Sequence, residues 1–208
     1  MIQSKKQLKE FLNEELPRYK TNILFPLFEV NEKAIIYKYI KLLRKTEYYT
    51  NCNKKIRKIF YKLRLSKISN KYSMHISINC CDKGLRIMHV GPILMNSNTR
   101  CGKNLAIHIN TSLVAGGRSN YAPIVGDNVI IGVGAVIVGG VRIANNVAIG
   151  ANAVVNKDVL EENIAVAGVP AKKSVITVRQ PGILKKKAIN TNAQNTIGKT
   201  VEKYKIIQ

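Results

Sequence analysis

The sequence predicts a mainly β protein, a parallel β-helix preceded by an α-helical region, on three observations. Residues 125–154, VGDNVIIGVGAVIVGGVRIANNVAIGANAV, hold only two charged side chains, Asp127 and Arg142, in a chain with 34 Lys and Arg and 12 Asp and Glu. The same stretch divides into VGDNVI, IGVGAV, IVGGVR, IANNVA and IGANAV, with Val125, Ile131, Ile137, Ile143 and Ile149 in the first slot and Val129, Ala135, Val141, Val147 and Ala153 in the fifth. Residues 1–73 lack this period and instead space their apolar residues three and four apart, as amphipathic helices do.

A period of six matches neither a helix, near 3.6, nor a plain strand, at two. It suits a coil in which each six-residue unit is one short strand plus a corner, three units closing a triangular turn. The first-slot aliphatics then point into the prism beside the small fifth-slot residues. Gly and Asn near the corners tolerate tight or left-handed backbone. Coils stack about 4.8 Å apart, and each Ile or Val buried in the ladder is worth roughly 1.5–3 kcal/mol. A β-sandwich rich in Val and Gly gives no reason for five successive units in one frame.

Upstream, the same count puts Leu113, Ile107, Cys101 and Met95 in the first slot and Leu105 and Ile93 in the fifth. SNYAPI (119–124) keeps the count without an apolar first residue and reads as a loop outside the prism. The predicted β-helix covers about residues 74–171, giving a domain division of 1–73 (basic, helical), 74–173 (β-helix) and 174–208 (basic tail, partly disordered).

In the first of these, Ser4 and Gln7 suit a capping box opening a helix that stops at Pro17. Asn31 suits the cap of a second helix burying Ile35, Ile36, Tyr39, Leu42 and Leu43. A third, about 53–65, aligns Ile56, Ile59, Phe60 and Leu63 as a packing face. The region carries 18 Lys and Arg against 6 Asp and Glu. No Arg-rich or aromatic recognition motif accompanies this charge, so nucleic acid is not the expected partner. A solvated helical surface accounts for it, and it allows loose attraction to phosphorylated substrates or anionic lipid, a weak membrane-surface association. No N-terminal apolar run suits a signal peptide or membrane span. Four cysteines, with Cys80 and Cys81 adjacent, fit neither a disulfide framework nor a metal motif, and point to a reducing cytoplasm.

Candidate chemistry rests on three histidines, His75, His89 and His108. Their spacings do not match the 18-residue coil, so they do not converge as a His₃ metal site, and no metal is expected. Strict counting puts His89 in a first slot, where an unpaired imidazole would cost on the order of 1–3 kcal/mol. Two arrangements remain open: a satisfied core histidine, or a coil broken by Gly91 and Pro92 that turns the ring outward. The second would place a base that changes charge near neutral pH on the prism surface. His75 reads as structural, and His108 as solvent-facing or at a subunit contact.

IGVGAVIVGGVRIANNVAIGANAVVNKDV followed by AVAGVPAKK, with GLRIMHVGPI and LLRKTEYYTN upstream, resembles the hexapeptide-repeat acyltransferases. The nearest branch is the serine acetyltransferase family, in particular short forms from bacterial surface-polysaccharide gene clusters. The likeness spans about residues 38–173. It implies a left-handed β-helix, a homotrimer (with pairing of trimers left open), acetyl-CoA as donor, and a site between neighbouring prisms. It puts His89 on the family's catalytic histidine, backbone contacts to CoA near Ala115 and Ala151, and Lys172 and Lys173 where the family meets the CoA phosphates. The family's Asp before the histidine is Met88 here, and its Arg-His-Pro loop is Tyr121-Ala122-Pro123. Those groups help to bind an amino acid, so the acceptor is either serine or a sugar hydroxyl in polysaccharide biosynthesis. The reading outside enzymology is a non-catalytic trimeric scaffold.

Overall fold

Inward-facing residues form three continuous ladders. Ile76, Met95, Leu113, Ile137 and Val155 make one; Cys81, Cys101, Val125 and Ile143 the next; Ile87, Ile107, Ile131, Ile149 and Val166 the third. All are buried. Each ladder lies on one parallel sheet, and the structure, a computed structural model, describes residues 1–20, 22, 24–117 and 121–174. With strands numbered in chain order, the first sheet is β1 (Met74–His75), β3 (Ile93–Met95), β6 (Thr111–Val114), β9 (Val136–Val138) and β12 (Val154–Val155). The second is β4 (Arg100–Cys101), β7 (Ile124–Val125) and β10 (Arg142–Ile143). The third is β2 (Arg86–Ile87), β5 (Ala106–Ile107), β8 (Ile130–Ile131), β11 (Ala148–Ile149) and β13 (Ala165–Ala167), with β14 (Lys172–Lys173) added antiparallel at its end. Successive residues of one coil enter different sheets, so the architecture is a three-sided parallel β-helix.

Registers show where the six-residue count holds. Ile93 pairs with Thr111, and Val136 with Val154, one coil of 18 apart. Ser112 pairs with Val136 and Arg100 with Ile124, each across 24, so six residues between Val114 and Ile124 are surplus to the 18-residue coil; the SNYAPI loop expected there begins outside the described residues. Upstream the count fails: Ile87 pairs with Ile107, two places from the expected partner. The first-slot residue is therefore Ile87 rather than His89, and the two surplus residues fall between Ile87 and Met95. Corners use the permissive residues the repeat supplies. Asn104, Asn128 and Asn146 hold φ of 59°, 57° and 58°, a left-handed backbone that Asn tolerates. Their amides form a ladder, Asn104 Nδ2 donating to Asn128 Oδ1 at 2.9 Å and Asn128 Nδ2 to Asn146 Oδ1 at 3.0 Å.

The helical region begins with α1 (Lys5–Glu15), capped by Ser4, whose side chain accepts from the Gln7 N–H. A 3₁₀ turn containing Pro17 (Leu16–Tyr19) ends it. A short α2 (Phe25–Phe28), without a counterpart in the sequence reading, leads to α3 (Glu32–Asn51), capped by Asn31 through the Ala34 N–H at 2.9 Å. The last, α4 (Lys55–Tyr72), buries Leu65, Ile68 and Ser69 against the rest. The stripe of Ile56, Ile59, Phe60 and Leu63, read from sequence as a packing face, is exposed instead. Among the described residues, no helix is long and apolar enough to cross a membrane.

This region closes the open end of the β-helix with side chains. Tyr19 Oη donates to the Ile87 carbonyl and accepts the Ile87 N–H, both at 2.8 Å, at the edge strand β2. Tyr39 does the same at the edge strand β1, donating to the Met74 carbonyl at 2.9 Å and accepting from Ile76 N–H at 3.1 Å. Arg44 donates to the Cys81 and Asp82 carbonyls at 2.9 Å, while Glu15 accepts the Gly84 and Leu85 N–H groups at 3.1 Å. Backbone groups that a further coil would have paired are thus satisfied locally. Burial, the dominant influence, raises both phenols to about 12, so they remain neutral donors.

Candidate active site

The surplus residues after β2 decide the position of His89. Met88 N–H still donates to the Ile107 carbonyl at 3.0 Å; the chain then leaves the coil through Val90, Gly91 and Pro92 and rejoins it at Ile93. His89 lies on this detour with its side chain 55% exposed. Of the two arrangements left open by the sequence, the structure has the outward one.

Glu32 meets it there. This residue opens α3, directly after the Asn31 cap, and its two carboxylate oxygens divide their roles. Oε1 accepts the Val90 N–H at 2.7 Å, while Oε2 lies 3.4 Å from His89 Nδ1. The first bond is strong and fixes the carboxylate to the detour; the second is at the long limit for a hydrogen bond. With Nδ1 turned to the carboxylate, the tautomer assigned from this contact leaves Nε2 as the basic nitrogen.

His108 follows β5 and sits beside this pair, its ring centroid 6.0 Å from that of His89. Its Nδ1 is buried without a hydrogen-bond partner. Burial first, and then the neighbouring His89 charge, lower its pKa from the usual imidazole value. The sequence left His108 either solvent-facing or at a subunit contact; within one chain it is half-buried and adjoins His89. His75 is exposed on β1. Among the described residues, no group of three His, Cys, Asp or Glu could hold a metal ion.

The other sequence-derived positions lie elsewhere on the prism. Ala151 occupies the same corner line as His89, because Ile87, Ile107, Ile131 and Ile149 are in register. It stands three coils away, about 14 Å at about 4.8 Å per coil. Ala115 follows β6 at a different corner. Lys172 and Lys173 form β14 at the far edge of the third sheet from β2, five strand steps or about 24 Å away. Both are exposed, and Lys173 is paired with Glu161 at 2.5 Å. One chain therefore joins His89, Glu32 and His108 but distributes the remaining positions along its length. Glu32 was not singled out in the sequence. Its only local sign is an acidic residue in the first turn after an Asn cap, common to many helices, and its partner is 57 residues away.

Residues 122–157 match the family model described as bacterial transferase hexapeptide (six repeats). A serine acetyltransferase of Staphylococcus aureus strain Mu50 is 34% identical over 103 residues, 49% of this chain and 46% of that protein. The chain thus spans about half the length of the curated relatives it matches. Among solved structures, the serine acetyltransferase of Neisseria gonorrhoeae superposes with a TM-score of 0.65 at 24% identity, over 89% of this chain and 73% of that one. That of Brucella abortus strain S19 in complex with coenzyme A superposes with a TM-score of 0.63 at 22% identity, over 81% and 68%. Residues 122–157 thus carry the hexapeptide repeat, and in sequence and fold the chain resembles the serine acetyltransferases.

Proposed function

We propose that the chain is an acetyl-CoA-dependent O-acetyltransferase with His89 as its general base, working as a homotrimer of left-handed β-helices. The observation that carries the reading is the outward His89 with its Nδ1 against Glu32, on a fold shared with serine acetyltransferases, one of them solved with coenzyme A. In the reaction, Nε2 takes the acceptor hydroxyl proton while the oxygen attacks the thioester carbonyl. The C–O bond forms, the C–S bond breaks, and the imidazolium returns the proton to the departing CoA sulfur. Glu32 holds the ring and balances its transient positive charge. Lys172 is the better partner for CoA phosphates, because Lys173 is already engaged by Glu161. Since His89 and the two lysines stand at opposite ends of one prism, we assign the cleft to the space between neighbouring subunits. Light scattering at micromolar concentration should give three chains; an active monomer would overturn that assignment.

A sugar hydroxyl suits the acceptor better than serine. An amino acid needs charges awaiting its ammonium and carboxylate, whereas Met88 is half-buried and apolar, and Ala122 is buried. Thiol release from acetyl-CoA, followed with serine and with a panel of sugar acceptors, tests both levels. Release that exceeds background hydrolysis for a sugar but not for serine is expected. No acceptor-dependent release, with no thermal shift on adding CoA, would remove the enzymatic reading.

Glu32 has its own test. An ion pair this exposed is worth about 1 kcal/mol at most, so Glu32→Gln should lower kcat about fivefold with KM for acetyl-CoA and melting temperature unchanged. Unchanged kcat would limit Glu32 to holding the Val90 backbone.

A further inference from the structure

The stripe on α4 is the largest feature the proposed chemistry does not use. Ile56, Ile59, Phe60 and Leu63 follow the i, i+3, i+4, i+7 spacing of one helix face and are 86%, 61%, 51% and 66% exposed. An apolar face of this kind on a water-soluble surface marks something it covers or enters. The charge around it narrows the choice. α4 carries seven Lys and Arg in eighteen residues and no Asp or Glu. At 100° per residue, Lys55 and Lys62 flank one side of the stripe, Arg57 and Arg64 the other. Arg64 also rims a cavity of about 1070 Å³ whose lining includes Lys20, Lys41 and Lys45 and, among the described residues, no carboxylate. The opposite face, through Leu65 and Ile68, is fixed on the protein, and among the described residues nothing covers the stripe.

We infer that α4 is an interfacial helix that docks this protein on an anionic lipid bilayer. Its apolar side chains would enter the boundary between headgroups and acyl chains, with the flanking cations at headgroup level. Charge complementarity favours this occupant. A second copy of the same face would set Lys55, Arg57, Lys62 and Arg64 against their own counterparts, within a region of 18 Lys and Arg to 6 Asp and Glu. A bilayer with anionic headgroups supplies both the apolar depth and the opposite charge. Exposed Leu27 and Phe28 of α2 add apolar surface to the same region, Glu29 tying the end of α2 to Lys71 and Tyr72 of α4. The inference does not depend on the acetyl-transfer reading.

Full-length protein mixed with vesicles provides the test. We expect co-sedimentation with phosphatidylcholine vesicles containing about a third phosphatidylglycerol, little with pure phosphatidylcholine, and release as salt shortens the screening length. Phe60→Ser with Leu63→Ser should weaken the binding by about tenfold or more. Both positions are exposed, and an unchanged melting temperature would confirm that the fold is kept. Failure to bind anionic vesicles would overturn the proposal. So would binding that the double variant leaves intact, which would assign the membrane contact to another basic segment. A fall in molecular mass for the double variant, measured without vesicles, would identify the stripe as a contact between copies and overturn it as well.

Discussion

His89→Ala should leave the fold and CoA binding in place while lowering acetyl transfer to the true acceptor by roughly 10²- to 10⁴-fold, the span expected for loss of a positioned general base. The fold should survive because the ring lies outside the core: it projects from a detour beyond the ladders, half in solvent, and Ile87 fills the inward slot. Its contact with Glu32 is exposed and contributes little to stability, and the Val90–Glu32 bond persists without the imidazole. His75→Ala is the suitable control, an exposed imidazole on β1. His108→Ala is not silent, because its ring lies 6.0 Å from His89 and helps to shape the same surface. Wild-type turnover in His89→Ala would end the general-base assignment. Loss of turnover in His108→Ala alone would transfer the role to the second imidazole.

Arg44→Ala should be among the most destabilising single changes available to the chain. Its guanidinium is fully buried and bonds Glu15 at 2.6 and 3.0 Å and Glu47 at 2.9 Å, besides two backbone carbonyls. Burial alone would favour loss of its proton, but the two carboxylates, Glu47 and Glu15, reverse the balance and hold it charged. Without the cation, two carboxylates remain buried and face each other, a loss of about 3–5 kcal/mol against a total stability of about 5–15 kcal/mol. Urea denaturation should show a large fall in midpoint, or the protein should be recovered insoluble. Arg44→Lys should not rescue it, since an ammonium cannot span both acids and both carbonyls in the planar fork. A wild-type midpoint for Arg44→Ala would show that this cluster does not hold the helices to the prism.

Much of this architecture is written in local pattern. The slots of residues 125–154 assign inward side chains one by one, and Ser4 and Asn31 mark the starts of their helices because a cap is a contact over three residues. What the pattern does not carry is whatever depends on an insertion or a distant partner. Counting by six passes through the detour after Ile87 and so lands on His89, although the same count had already flagged an imidazole as out of place there. The α4 stripe has correct helical spacing, but spacing identifies a face without stating what covers it. Glu32 and His89 meet only because α3 is seated at the end of the prism by Tyr39 and Arg44, contacts that no window of sequence contains.

That seating also bears on assembly. A parallel coil is a template that can go on adding copies of itself, and its terminal rung offers the same unpaired amides and carbonyls that nucleate fibrous growth. Tyr19, Tyr39, Glu15 and Arg44 occupy that rung with groups that cannot themselves be extended. The helical region is therefore a chain terminator for β-stacking, and its removal would leave a prism whose first coil is an open invitation to end-to-end polymerisation.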